Sequence, residues 1–280
     1  MKIYTLKIYA SITACLSFGI NLTACRSTDS HSAQQEITGS SNDRLTADFC
    51  QASRQNTDRS LAHTIETLIK VLSANDCDTM FDRLSKTRNL DLANRSISDI
   101  APLRYAFSLE YLDLSQNHVS DLGPVAGISS LKRLYASGNK LTSLPSPNKW
   151  ANMVELNVSS NYVADISAVI SMKSLESFDL SMNRIRSAQP LKNAKSLRVL
   201  YADENGIEDV SPLAAIVGLE QLHIVKNAVF DIRPLADLTA LRDVSYLDLR
   251  ENPISRSGCP VVGESQAVTS YCQSRFFDRN

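Results

Sequence analysis

Apolar residues recur along this chain in a fixed nine-residue frame. Leu109-Glu-Tyr-Leu-Asp-Leu-Ser-Gln-Asn117 sets leucine at the first, fourth and sixth positions and asparagine at the ninth. The frame returns 22 residues later from Leu131 to Asn139, then from Met153 to Asn161, Leu175 to Asn183, Leu197 to Asn205 and Leu219 to Asn227. A last copy, Val244 to Asn252, comes three residues late. Alternation over the fourth to sixth positions predicts a short strand in which those two residues face inward and their neighbours outward. The asparagine stands where the chain leaves the strand and its peptide groups lose their ladder partners. Its amide carries donors and an acceptor, so it is expected to satisfy buried peptide groups in its own coil and the next.

The second half of each unit is also patterned. Val119-Ser-Asp-Leu-Gly-Pro-Val125, Ile207-Glu-Asp-Val-Ser-Pro-Leu213 and Val229-Phe-Asp-Ile-Arg-Pro-Leu235 share Asp and Pro at one spacing. Asp predicts an Asx-turn and Pro the first position of a short helical turn. A unit this short has no room for a full helix, so 3₁₀ or single-turn segments are expected there. The pattern is that of a leucine-rich repeat. The predicted class is α/β: a solenoid of about eight coils, a parallel concave sheet and a convex side of short turns. The late eighth copy predicts a bulge on the convex side near Arg242-Asp-Val244, and Trp150, the one tryptophan, falls in the core slot held elsewhere by Ile128, Met172 and Ile216.

Around the repeats, residues 87–254, the composition changes. Residues 47–86 carry Leu61, Ile65, Leu68, Ile69 and Leu72 at helical spacing, with Ser60 as the candidate N-cap, and a second helix is expected from Thr79 to Leu84. They read as a helical N-terminal cap on the open core, as a solenoid requires. The first coil begins at Asn89-Leu-Asp-Leu92, and its ladder position is Arg95 instead of asparagine. Residues 255–280 read as a short C-terminal cap.

Residues 1–24 read as an export signal: Lys2 and Lys7, then an apolar run from Ile8 to Ile20 that falls short of the roughly 20 residues a membrane span needs. Residues 25–46 are polar and read as a disordered tether. Cys50, Cys77, Cys259 and Cys272 remain beyond them. Eight coils separate the ends by about 34 Å, which excludes pairing across them and predicts Cys50–Cys77 and Cys259–Cys272 disulfides.

Chemistry is sparse. There is no nucleophile elbow, phosphate-binding glycine loop or His-Glu-x-x-His, and a formal charge of −1 makes no electrostatic case for nucleic acid. The Asp column at 99, 121, 165, 209 and 231 is explained by turns, so no metal or cofactor is expected. The concave face offers more. Tyr111, Arg133, Tyr135, Asn157, Asp179, Tyr201, His223 and Tyr246 point outward from the frame, and aromatics with arginine on a rigid face are typical partner contacts.

Leu22-Thr-Ala-Cys25 resembles the lipobox of bacterial lipoproteins, and the repeats resemble those of bacterial leucine-rich-repeat lipoproteins with internalin-type 22-residue coils. The first resemblance implies a diacylglyceryl thioether on Cys25 and membrane attachment through that lipid; Arg26 after it favours the outer membrane or cell surface. Internalins continue into an immunoglobulin-like domain and a cell-wall anchor, which residues 255–280 do not match, so the resemblance carries the repeat fold and not an invasion role. Together these imply a monomeric, lipid-anchored, non-enzymatic module that binds a protein partner on its concave face. A structural spacer of the envelope without a ligand and an enzyme with an unread site are the alternatives.

Overall fold

The computed structural model describes residues 48–51, 55, 58–145 and 150–277. The signal, the tether and Cys25 lie outside the described residues, as do residues 146–149.

Eight short strands follow one another in a single parallel sheet: β1 (Asn89–Asp91), β2 (Tyr111–Asp113), β3 (Arg133–Tyr135), β4 (Glu155–Asn157), β5 (Ser177–Asp179), β6 (Val199–Tyr201), β7 (Gln221–His223) and β8 (Leu247–Asp248). Register is in phase throughout, Leu90 opposite Leu112 and Leu112 opposite Leu134, and so on to Leu222 opposite Leu247. Each coil thus places its inward leucines, with Phe178 in β5, directly over the coil before, and these side chains are fully buried. The other side of five coils is one turn of 3₁₀ or α-helix entered through proline, at Pro102, Pro124, Pro190, Pro212 and Pro234, and the coil after β4 makes the same turn, Ser167–Ser171, without one. Proline fits because the first N–H of such a turn has no partner to lose. The column aspartates fold the turn before it, accepting from the N–H two residues on: Asp121 from Gly123 at 2.7 Å, Asp165 from Ser167 and Asp209 from Ser211 at 2.8 Å. Trp150 fills the core and donates Nε1–H to the Val125 carbonyl at 3.3 Å.

The asparagine ladder runs the other way from the expectation. Asn161 donates to Val158 and Ser159 carbonyls in its own coil and to Ala136 in the preceding one, at 3.0, 3.1 and 2.9 Å, while its Oδ1 accepts from Leu141 N at 2.9 Å. Asn117 and Asn252 reach back in the same way. The backward reach explains Arg95: the first coil has no predecessor to serve. Its own loop is instead closed by Asn117 and by α1 (Arg59–Val71), where His63 Nε2 meets the Arg95 carbonyl at 2.7 Å and Thr64 Oγ1 donates to the Asp99 carbonyl at 2.6 Å.

One residue before each ladder position the backbone is left-handed. Asn94, Gln116, Gly138, Ser160, Met182, Glu204, Lys226 and Glu251 have φ between 50° and 64°. Glycine alone adopts that region without cost, and it occupies a single one of the eight sites.

The N-terminal cap holds α1 and α2 (Cys77–Lys86). Asp58, not Ser60, caps α1: its carboxylate accepts from Ser60 N and Leu61 N at 2.9 and 3.1 Å, and Ser60 is already inside the helix. The second helix starts two residues before the expected Thr79, because Asp76 and Thr79 cap each other reciprocally and set its first turn. Cys50 and Cys77 are disulfide-bonded, and Phe49, Phe81 and Tyr105 meet beside that bond as tilted and edge-on rings. At the other end α4 (Gln266–Cys272) closes the core, tied by the Cys259–Cys272 disulfide; the four-residue turn Gly123–Ala126 is α3.

The eighth coil's three additional residues do not bulge from the convex side. They form a 3₁₀ turn, Val244–Tyr246, directly before β8. Asp243 caps it, accepting from Ser245 N at 2.8 Å, and a carboxylate there stabilises a turn at the strand entry more readily than a loop elsewhere.

Candidate functional site

Strand alternation decides which side chains the sheet presents outward. Two files result from the register: Tyr111, Arg133, Glu155, Ser177, Val199 and Gln221, and beside it Asp91, Asp113, Tyr135, Asn157, Asp179, Tyr201, His223 and Asp248. Seven of the eight side chains expected on this face stand there. Tyr246 does not: the 3₁₀ turn lifts it out of the strand position opposite Gln221, and it is exposed at the rim.

The seven fall into two groups with a polar bridge between them. Toward the N-terminal end, the Tyr111 and Tyr135 rings pack at 5.5 Å and the Arg133 guanidinium lies over Tyr111 at 5.8 Å. Burial, together with a hydrogen bond to Glu155, pushes the Tyr135 phenol far above its usual range, and burial raises Tyr111 as well. Both phenols therefore stay protonated and serve as donors. In the middle Asn157 donates Nδ2–H to Asp179 at 3.2 Å.

Toward the C-terminal end, Tyr201 packs edge-on against His223, ring centroids 5.0 Å apart. Gln221 Nε2 lies 2.9 Å from the Tyr201 hydroxyl and 3.1 Å from His223 Nε2. With the amide nitrogen donating to both, His223 accepts at Nε2 and carries its proton on Nδ1, and the Tyr201 O–H is left free to donate outward. Beside them is Asp203, half-buried in a third outward file that runs Ala93 and then Ser115, Ser137, Ser159 and Ser181 before it. Burial lifts its carboxyl above the ordinary range and the nearby Asp248 and Asp179 add to that; the Val225 N–H, at 2.7 Å, and His223 oppose it.

The central-file carboxylates and the Asn157 amide also have a structural duty. Asp113, Asn157, Asp179 and Asp248 each accept from the N–H two residues on, at 2.8, 2.9, 3.0 and 3.2 Å, which turns the chain off the strand. Asp179 thus holds its own backbone as well as Asn157. Glu155, Asp203 and Gln221 are the participants that the sequence reading did not single out. Glu155 and Gln221 stood in the outward file without aromatic or cationic character to mark them. Asp203 was signalled only by a carboxylate following a run of serines.

The arrangement offers aromatic contact area and hydrogen-bonding groups side by side. Among the described residues no group of three or more His, Cys, Asp and Glu is placed to hold a metal ion. Among the same residues, no helix is long and apolar enough to cross a membrane.

A family model described as Leucine Rich repeats (2 copies) matches residues 107–149 and 129–171. Among solved structures, an internalin (inlF) from Listeria monocytogenes is similar at 25% identity and a TM-score of 0.61, over 64% of this chain and 52% of that one. The chain therefore spans about half the length of that internalin. Internalin C2 from the same organism matches at 22% identity and a TM-score of 0.49, over 69% of this chain and 91% of its own. No curated protein matches the chain. The chain thus has a leucine-rich-repeat solenoid fold, similar to that of the internalin.

Proposed function

We propose that this protein is a lipid-anchored, non-enzymatic binding module of the cell envelope that takes a protein partner on the outer face of its sheet. The observation that carries the reading is the pair of aromatic groups, Tyr111–Tyr135 with Arg133 and Tyr201–His223 with Gln221, held in register on a rigid frame. Tyrosine gives large contact area for little rotamer entropy and adds a hydroxyl for a polar group, which is what hot-spot residues supply. The anchor rests on the Leu22-Thr-Ala-Cys25 ending, and the monomeric state on the absence of any need for a second copy to close the core.

Crosslinked capture from an envelope fraction, followed by Tyr135→Ala with Tyr201→Ala in a folded double variant, tests the site. A loss of roughly thirty-fold or more in affinity is expected. Unchanged binding moves the site off the sheet and removes this reading. Lys192→Ala, on the opposite side, should bind as the wild type does. Intact-mass spectrometry of the membrane fraction tests the anchor: a mature chain starting at Cys25 with a diacylglyceryl group supports it, and an unmodified soluble chain refutes it.

A further inference from the structure

We infer that the three-residue insertion of the eighth coil builds a carboxylate pocket at the rim of the sheet, shaped to take an aspartate or glutamate side chain of the protein partner. Because Val244–Tyr246 turns as 3₁₀ before β8, Tyr246 no longer covers the edge of β7. A cavity of about 450 Å³ opens there, between Val199, Glu220 and Gln221 on one wall and Ala240, Arg242 and Tyr246 on the other. That volume lies within the usual range for ligand pockets and holds a side chain with its adjoining backbone.

The charges on its walls are unequal in availability. Glu220 is already paired with Arg198. Asp243, next to Arg242 in the chain, is turned to the Ser245 N–H. Arg242 itself has no ion pair or hydrogen bond among the described residues. The reason is readable in the chain. Arg233 and Arg250 each follow an aspartate by two residues, and each folds back on it, to Asp231 at 2.5 Å and Asp248 at 2.6 Å. Two residues before Arg242 stands Ala240, so its guanidinium has no carboxylate to fold back on, and Arg242 lines the cavity with its N–H fork uncommitted. That fork matches a carboxylate bidentately. Val199, Ala240 and the Tyr246 ring supply apolar walls for the methylene stem.

Gln221 joins this pocket to the face. It lines the cavity and also holds Tyr201 and His223, so an occupant of the pocket touches the residue that orients the C-terminal aromatic group. That the carboxylate belongs to a protein rests on the binding function proposed above; the preference for a carboxylate does not.

The test uses the full chain, isotope-labelled, titrated with N-acetylglutamate methylamide and, separately, with its neutral glutamine isostere at constant ionic strength. Saturable NMR shifts of the Arg242 Nε–Hε, the Gln221 side-chain amide and the Tyr246 ring are expected with the glutamate probe. The glutamine probe and the Arg242→Gln variant should each bind at least tenfold more weakly, and Arg242→Lys, which keeps the charge and loses the fork, should fall between. Equal binding of the two probes, binding unaffected by Arg242→Gln, or no saturable shift at these groups overturns the pocket. The Tyr135→Ala, Tyr201→Ala variant separates the two readings: it should lose the partner and still bind the glutamate probe.

Discussion

Two strips of the same coil, a few residues apart, obey opposite rules. The loop after seven of the eight strands carries the ladder asparagine, and every copy does the same work for the coil behind it. The strand face before it changes from coil to coil, Tyr111 to Arg133 to Glu155 to Ser177, although the backbone beneath is identical. In a solenoid whatever the backbone demands of one coil it demands of all. Positions that vary are therefore less bound by the backbone, and the aromatic groups gathered there are the ones proposed above to meet a partner.

Substitutions can break that contrast. The largest expected effect is Asn161→Ala. It strands Leu141 N in the interior and takes one of two donors from the Ala136 and Val158 carbonyls, which keep Asn139 and Asn183, at a cost of about 1–3 kcal/mol. Ser160→Ala next to it should cost close to nothing in the same denaturant titration. Equal midpoints would mean that the ladder asparagine is not the structural residue of the coil.

A smaller effect belongs to the left-handed column. Ser160→Gly should gain up to about 1 kcal/mol by relieving φ at 54°, and Gly138→Ala should lose about as much, since Ala meets both the backbone penalty and the Gln116 side chain. Chemical denaturation of both variants checks the paired signs. On the face itself, Tyr201→Ala should cost about 0.5–1.5 kcal/mol of stability, the worth of one aromatic pair. A loss as large as that of Asn161→Ala would put Tyr201 in the fold's service and weaken the inference from variability.

The smallest effect distinguishes two carboxylates of the face by pH. Asp203, with its folded pKa raised by burial, holds a proton more readily folded than unfolded. Its contribution to stability is fully present below the unfolded pKa and is lost as pH rises through the folded one. Asp248, lowered by Arg250, contributes above the unfolded pKa and loses that contribution as pH falls through the folded one. Relative to wild type, Asp203→Asn should therefore gain stability between acid and neutral pH, while Asp248→Asn should lose it over the same interval. Midpoints measured at a series of pH values give both slopes, and parallel curves would contradict them.

The sheet, its register and the turn-built second half were legible because each depends on residues that recur: inward leucines, the ladder asparagine, the turn aspartate and proline. What was not legible depends on direction or on backbone angle. The asparagine amide is equally able to reach forward or back, and spacing does not say which. The left-handed column has no signature, since Gln116, Met182, Glu204 and Lys226 share no chemistry. Asp58 lost to Ser60 as the expected cap because both are good N-cap residues two positions apart. The site was legible in its aromatic members and less so in Glu155, Gln221 and Asp203, whose roles come from neighbours on other coils. The rim pocket was hidden by the assumption that an insertion escapes to the convex side.

The backward reach of the asparagines gives the molecule a direction of growth. Each coil is finished only when its successor arrives and delivers one amide, so the structure lengthens like a wall in which every course locks the one below. A chain threading across a membrane N-terminus first would set its coils in that order, with the helical cap laid as the footing. Stopped at any point, it would leave a single open course at its growing edge, and α4 with its disulfide is the coping stone that ends the sequence.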